Sequence, residues 1–152
     1  MAQEVIIRRA EPADLVTLLR LVEALTRHHD DVPRLTRDSL ERDVLGPAPW
    51  FHVLVAARGA EVLGYAALLP LARLGYGERG LDLHHLFVAE AERRRGTGTA
   101  LVRASEDLSR DLGCNYVIIG THPGNWAAQE YYQRLGFDRM ANSAVRFTRS
   151  LG

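Results

Sequence analysis

Apolar positions along the chain change their period several times, and each change marks a new element. Glu4 to Ala10 is a β-rich entry. Pro12 suits a first helical turn, and Leu15, Leu18, Leu19, Val22 and Leu25 then fall on one helical face. Arg37 to Leu45 reads as a shorter helix capped by Thr36, with Leu40 and Val44 inward and Gly46-Pro47 as the stop. His52 to Ala57 and Val62 to Leu71, rich in Val, Leu and Ala, predict two strands joined by a tight hairpin at Arg58-Gly59-Ala60-Glu61. Leu81 to Val88 is another strand and runs into the Arg and Gly cluster at Arg93 to Gly98. Leu101, Ala104, Ser105, Leu108 and Leu112 restore helical spacing up to Gly113. Tyr116 to Gly120 is a continuous apolar strand, Asn125 opens a helix ending at Leu135-Gly136, and Val145 and Phe147 alternate in a last strand. The whole predicts a mixed α/β domain with a central sheet covered by helices.

The 152 residues, 47% hydrophobic and 25% charged, fit one ordinary domain over residues 1–152 that needs no disulfide framework. Cys114 is the only cysteine, which excludes an internal disulfide and a thiolate-rich zinc site. Nineteen basic side chains, all arginine, cancel nineteen acidic ones. That removes a global pull toward nucleic acid or anionic lipid. No apolar run approaches the roughly 20 residues that span a bilayer, and the N-terminus carries no leader pattern, so a cytoplasmic protein without membrane partners is expected.

Arg93-Arg94-Arg95-Gly96-Thr97-Gly98, with Thr99 after it, lies between an apolar strand and an amphipathic helix. Glycines there let the backbone approach a ligand, and the free N–H groups of the next helical turn make an anion site suited to a diphosphate. The same pattern also serves a plain tight turn with solvated arginines. No Gly-Lys-Ser/Thr is present, and the three-glycine dinucleotide spacing is incomplete.

The strand Leu83-His84-His85-Leu86-Phe87-Val88 followed by Arg93-x-x-Gly96-x-Gly98 resembles the acyl-coenzyme A signature of the GNAT family of N-acetyltransferases. So does Asn125-x-x-Ala128-x-x-x-Tyr132-x-x-x-Gly136-Phe137, and the opening Ile7 to Asp14 is similar to the family's first strand and helix. The resemblance implies a mostly antiparallel sheet of about six or seven strands with about four helices, in the order β-α-α-β-β-β-α-β-α-β-β. It implies transfer of an acetyl group from acetyl-CoA, without a metal, to a primary amine of a small molecule or peptide, by direct attack in a ternary complex. Leu45 through Ala66 is most similar to the diamine and polyamine branch, which usually carries Leu-Glu-Asp-Leu where this chain has Leu83-His84-His85-Leu86.

An alkylamine with a pKa near 10.4 is charged at pH 7 and must lose a proton before it attacks a thioester. An imidazole suits that work, so His84 is the first candidate base and His85 the second, since a bulge could exchange their roles. Both could equally be hydrogen-bonded sheet residues. The resemblance nominates Tyr132 as the acid for the leaving thiolate, whereas the spacing of Ala128, Tyr131, Tyr132 and Leu135 also fits core packing. It implies cofactor contacts from Leu86, Phe87, Val88, the loop from Arg93 to Thr99, Asn125 and Ala128, with the Val88 N–H meeting the oxyanion. Asn125 also suits a helix cap. A homodimer is implied by analogy alone.

Two other classes compete. A non-catalytic acyl-CoA sensor, or an inactive GNAT paralogue, is compatible with the missing carboxylates. A nucleic-acid module built on Arg93 to Arg95 is disfavoured by zero net charge and by the lack of interleaved aromatics. His28-His29 with Asp30-Asp31 reads as a polar helix end, since adjacent helical histidines point about 100° apart, or as the rim of a substrate mouth. Trp50, Phe51 or Tyr76 could wall an acceptor pocket.

Overall fold

A computed structural model describes residues 3–141 and 144–152. The chain divides into two compact units, Met1–Gly120 and Thr121–Gly152.

In the first unit, β1 (Val5–Arg9), β2 (His52–Arg58), β3 (Glu61–Arg73), β4 (Glu78–Val88) and β5 (Tyr116–Ile119) form one sheet in that order. Neighbours from β1 to β4 are antiparallel, while β4 and β5 are parallel. Parallel neighbours need a crossover, and here it is α3 (Thr97–Asp111). The remaining helices of the unit are α1 (Leu15–His28), entered through a short 3-10 turn at Pro12–Asp14, and α2 (Arg37–Val44).

The unbroken apolar run of β2 follows from burial of both sheet faces. Val53, Val55, Tyr65 and Ala67 join Leu15, Leu18, Leu25 and Leu40 in a cluster under α1 and α2. Leu54, Ala56, Ala66 and Leu68, of opposite parity, are also buried, on the side where α3 meets β2, β3 and β4. Ser105 and Ser109 of α3 are buried without cost to polarity, because each hydroxyl donates to the carbonyl four residues back at 2.7 Å.

Local chemistry sets the helix ends. Thr36 Oγ1 accepts from the Ser39 N–H at 3.1 Å, and Ser39 Oγ accepts from the Thr36 N–H at 2.9 Å, a reciprocal cap for α2. Asp14, only 4% exposed, accepts from both Arg8 Nη atoms at 2.7 and 3.0 Å and from the Glu11 N–H at 2.7 Å. The Arg8 hydrogen bond holds this carboxyl below the usual carboxylate range against the opposing effect of burial. Asp14→Ala removes the acceptor and strands part of the guanidinium. It is expected to cost about 2–4 kcal/mol in denaturant unfolding, because a nearly buried pair loses one partner.

The second unit holds α4 (Trp126–Arg134), capped by Asn125, whose Oδ1 accepts from the Ala128 N–H at 3.1 Å. The expected final strands are absent: beyond α4 no described residue is in a strand, and the sheet has five strands rather than six or seven. Val145 and Phe147 are 84% and 94% exposed. Their alternation supplies a face but no partner for the backbone amides, and a strand exists only through its ladder.

Candidate functional site

β4 departs from a regular ladder at His84. Ala67 pairs with His85 and Leu68 with Leu83, so His84 is an extra residue with no partner on β3. An ordinary strand would send consecutive side chains to opposite faces. The bulge cancels that alternation. The two imidazoles stack with centroids 4.4 Å apart and planes 11° apart.

Both rings line a cavity of about 160 Å³. Leu18 and Val22 of α1, Leu40 of α2, and Phe51 and Val53 from the start of β2 make most of its wall apolar. Phe51 lies 5.6 Å from the exposed His84 ring. The one carboxylate in the wall, Asp43, is engaged by Arg42 through Nε at 2.8 Å and Nη2 at 2.9 Å. Sequence reasoning raised Phe51 as a pocket wall but missed Asp43 and Tyr65, because only the tertiary pairing brings them to this cavity.

His85 is half-buried, and Tyr65 Oη lies 3.0 Å from its Nδ1. Burial, then the nearby His84 and His29, push the His85 imidazole down to about 4, so it is neutral at pH 7. Between pH 6.5 and 4 an unfolded imidazole takes up a proton that the folded one refuses. The stabilising contribution is therefore complete above 6.5 and is lost as the pH falls toward 4. Wild type is expected to lose on the order of 2–3 kcal/mol of stability to this group over that window. His85→Gln should flatten that part of the pH curve measured by chemical denaturation.

The far end of β4 has an open edge. β5 pairs only with Gly80 to Leu83, leaving His84 to Val88 without a strand beside them among the described residues. The Ala89 N–H donates to the Leu63 carbonyl at 2.8 Å. Amides alternate in direction along an antiparallel ladder, so those of Phe87 and His85 turn toward β3 and those of Leu86 and Val88 turn to the open edge. The Val88 carbonyl accepts from Arg93 Nε at 2.9 Å, and the guanidinium carbon lies 5.3 Å from the centre of the Phe87 ring. Arg93 thus pins the loop to the strand end with one nitrogen.

After that pin the backbone curls. Arg94 and Gly96 both take positive φ, 64° and 84°. For arginine this is a strained conformation worth about 1–2 kcal/mol. Gly96 then caps α3 with no side chain to occupy its leading amides. Glu92, 8% exposed, ties the loop to the β2 end through Arg58 at 2.8 and 3.0 Å, with Arg95 at 3.9 Å. Thr97 is buried, Gly98 and Thr99 are half-buried, and Arg94 and Arg95 are exposed. The turn is anchored at both ends, by Arg93 to the end of β4 and by Glu92 to Arg58.

In the second unit, the Phe137 N–H donates to the Tyr132 carbonyl and the Gly136 N–H to the Gln133 carbonyl, each at 3.0 Å, with Gly136 at φ 99°. This is a Schellman ending, and its usual apolar contact is present: Phe137 packs edge-on against Tyr132 at 6.2 Å. The Tyr-x-x-x-Gly-Phe pattern therefore orients the Tyr132 ring. Burial, then Tyr131, push its phenol up, which keeps it protonated at neutral pH. Among the described residues no group of three or more His, Cys, Asp or Glu side chains could hold a metal ion, and no helix is long and apolar enough to cross a membrane.

The sequence model of the acetyltransferase (GNAT) family matches residues 17–137, running through both units. The chain belongs to that family, and its activity is acetyl-CoA-dependent N-acetylation of an amine. It is 26% identical over 142 residues to the thialysine N-epsilon-acetyltransferase of Bos taurus, covering 87% of this chain and 83% of that protein. It is 36% identical over 89 residues to N-acetyltransferase 8 of Homo sapiens, covering 59% of this chain and 39% of that protein. The fold superposes on the aminoglycoside N-acetyltransferase AAC(6')-Iy in complex with CoA with a TM-score of 0.77, at 22% identity, covering 100% of this chain and 98% of that one.

Proposed function

We propose that residues 1–152 act as one acyltransferase domain that acetylates the primary amine of a small molecule by direct attack in a ternary complex. The observation that carries this reading is the open β4 edge at Leu86 and Val88, leading into the uncapped start of α3. An extended amide-bearing arm can lie along such an edge as an added strand would. A diphosphate at its end suits the turn of Arg93, Arg94, Arg95, Gly96, Thr97, Gly98 and Thr99. Phe87 supports that turn from beneath Arg93. The family resemblance adds Asn125 and Ala128 as coenzyme contacts in this reading. The Val88 N–H, turned to the open edge, suits the carbonyl oxygen as it gains charge.

The acceptor enters the cavity below α1 and α2. His84, the exposed member of the stacked pair, takes the ammonium proton directly or through a water. The amine lone pair then attacks the acetyl carbon, the thioester C–S bond breaks, Tyr132 protonates the departing sulfur, and the remaining extra proton on the new amide nitrogen returns to the phenolate. His84→Ala should lower kcat/KM measured as thiol release with a saturating amine, by about 10²-fold or more; an unchanged kcat/KM assigns the proton to another group. The thialysine relative supports an amine at the end of a short chain as acceptor. A cytoplasmic location and a homodimer complete the proposal.

Purified protein incubated with acetyl-CoA and a panel of primary amines is expected to release free thiol only when an amine is present. Tight CoA binding without thiol release for any amine would instead favour an acyl-CoA sensor.

A further inference from the structure

Tyr65 is the largest fully buried side chain among the described residues, with 0% exposure. Its hydroxyl reaches one partner, His85 Nδ1. Two polarities are open to that bond. Were Nδ1–H the donor, the phenol hydrogen would be left in the core with no acceptor among the described residues, an unmade bond whose desolvation goes uncompensated. With the phenol as donor, both groups are satisfied. Burial also pushes the phenol up, so it keeps the proton it donates. The network therefore assigns the proton of neutral His85 to Nε2.

Nε2 has no partner among the described residues, and none of their buried side-chain nitrogens or oxygens lacks one. The Nε2–H consequently opens to the cavity that His85 lines. In that tautomer His85 has no free lone pair and cannot act as a base. What remains is a single directed donor in a mainly apolar wall whose one carboxylate is already engaged by Arg42. A long polycation would meet in that wall, among the described residues, one carboxylate that Arg42 already shares, while an oxygen lone pair would satisfy the donor.

We propose that Tyr65 is a positioning residue that fixes His85 as an Nε2–H donor, and that this donor selects acceptor amines carrying a hydroxyl or carbonyl oxygen on a short apolar body. The acceptor half of the proposal rests on the acetyl-transfer reading; the tautomer does not.

The test uses the full chain labelled with ¹⁵N, with the His85 ring resonances assigned by their loss in His85→Gln. At pH 7 wild type should show a protonated Nε2 and a hydrogen-bonded, unprotonated Nδ1. In Tyr65→Phe, with circular dichroism unchanged, Nδ1 should move to the position of a free imidazole nitrogen. A protonated Nδ1 in wild type, or an Nδ1 resonance indifferent to the loss of the hydroxyl, overturns the positioning role. The wild-type spectrum decides the tautomer even if the variant does not fold.

Selection is read by titrating a series of ω-amino alcohols and the matching n-alkylamines into CoA-saturated protein and following His85 Nε2. The amino alcohols should bind about tenfold tighter or better at matched length. Equal affinities, or no perturbation of Nε2 by either series, overturn the selection. Selective binding without thiol release from acetyl-CoA would count against acetyl transfer and leave the donor standing.

Discussion

Tyr132→Phe is expected to lower turnover about 10²–10⁴-fold, the range for full loss of one general acid–base group. Coenzyme affinity and melting temperature should barely move. The substitution keeps the ring, its edge-on contact with Phe137 and both terminal hydrogen bonds of α4, so the Schellman ending survives. What disappears is one proton donor. A raised phenol is protonated throughout the neutral range, the state an acid must hold before the C–S bond breaks. Tyr131→Phe serves as the control, since Tyr131 packs at 5.5 Å from Tyr132 in the same turn. The measurement is single-turnover thiol release under saturating acetyl-CoA, which isolates the chemical step from product release. Turnover unchanged under those conditions removes Tyr132 from the role of acid.

Sequence patterns revealed features that depend on neighbours along the chain. The Thr36 cap, the α1 stripe from Leu15 to Leu25 and the Asn125 cap all follow from spacing within one turn of a helix, and the structure shows each of them. The turn between Arg93 and Gly98 was legible for the same reason: a glycine between a strand and a helix suits positive φ, and Gly96 takes it. Long-range pairing is a different matter. His84 and His85 read as neighbours on opposite faces, and only the register jump between Ala67 and Leu68 stacks them.

Tyr65 was hidden more deeply. It sits in Val62-Leu63-Gly64-Tyr65-Ala66, which is indistinguishable from ordinary sheet core, and its chemical partner lies twenty residues away on another strand. The misread tail fails in the opposite direction. Val145 and Phe147 have a strand's alternation, but alternation records which face is apolar and says nothing about whether an edge is there to pair with.

Gly98→Leu should raise the stability of the free protein and destroy its coenzyme site. Gly98 is the second residue of α3, where glycine is about 0.5–1 kcal/mol worse than a good helix former. Leucine recovers that much, so denaturant unfolding should shift toward higher stability. The added side chain, however, starts from the helical turn whose amides face the proposed diphosphate. A bulky group there blocks the close backbone approach on which anion binding at a helix start depends. Calorimetric titration with CoA should show affinity reduced by about 100-fold or more, a loss near 2.7 kcal/mol. The opposing signs make the experiment decisive, because a variant that merely damaged the fold would lose stability and affinity together. Affinity retained in a stabilised Gly98→Leu protein would place the diphosphate elsewhere and leave the curl at Arg94 and Gly96 as a plain turn into a helix.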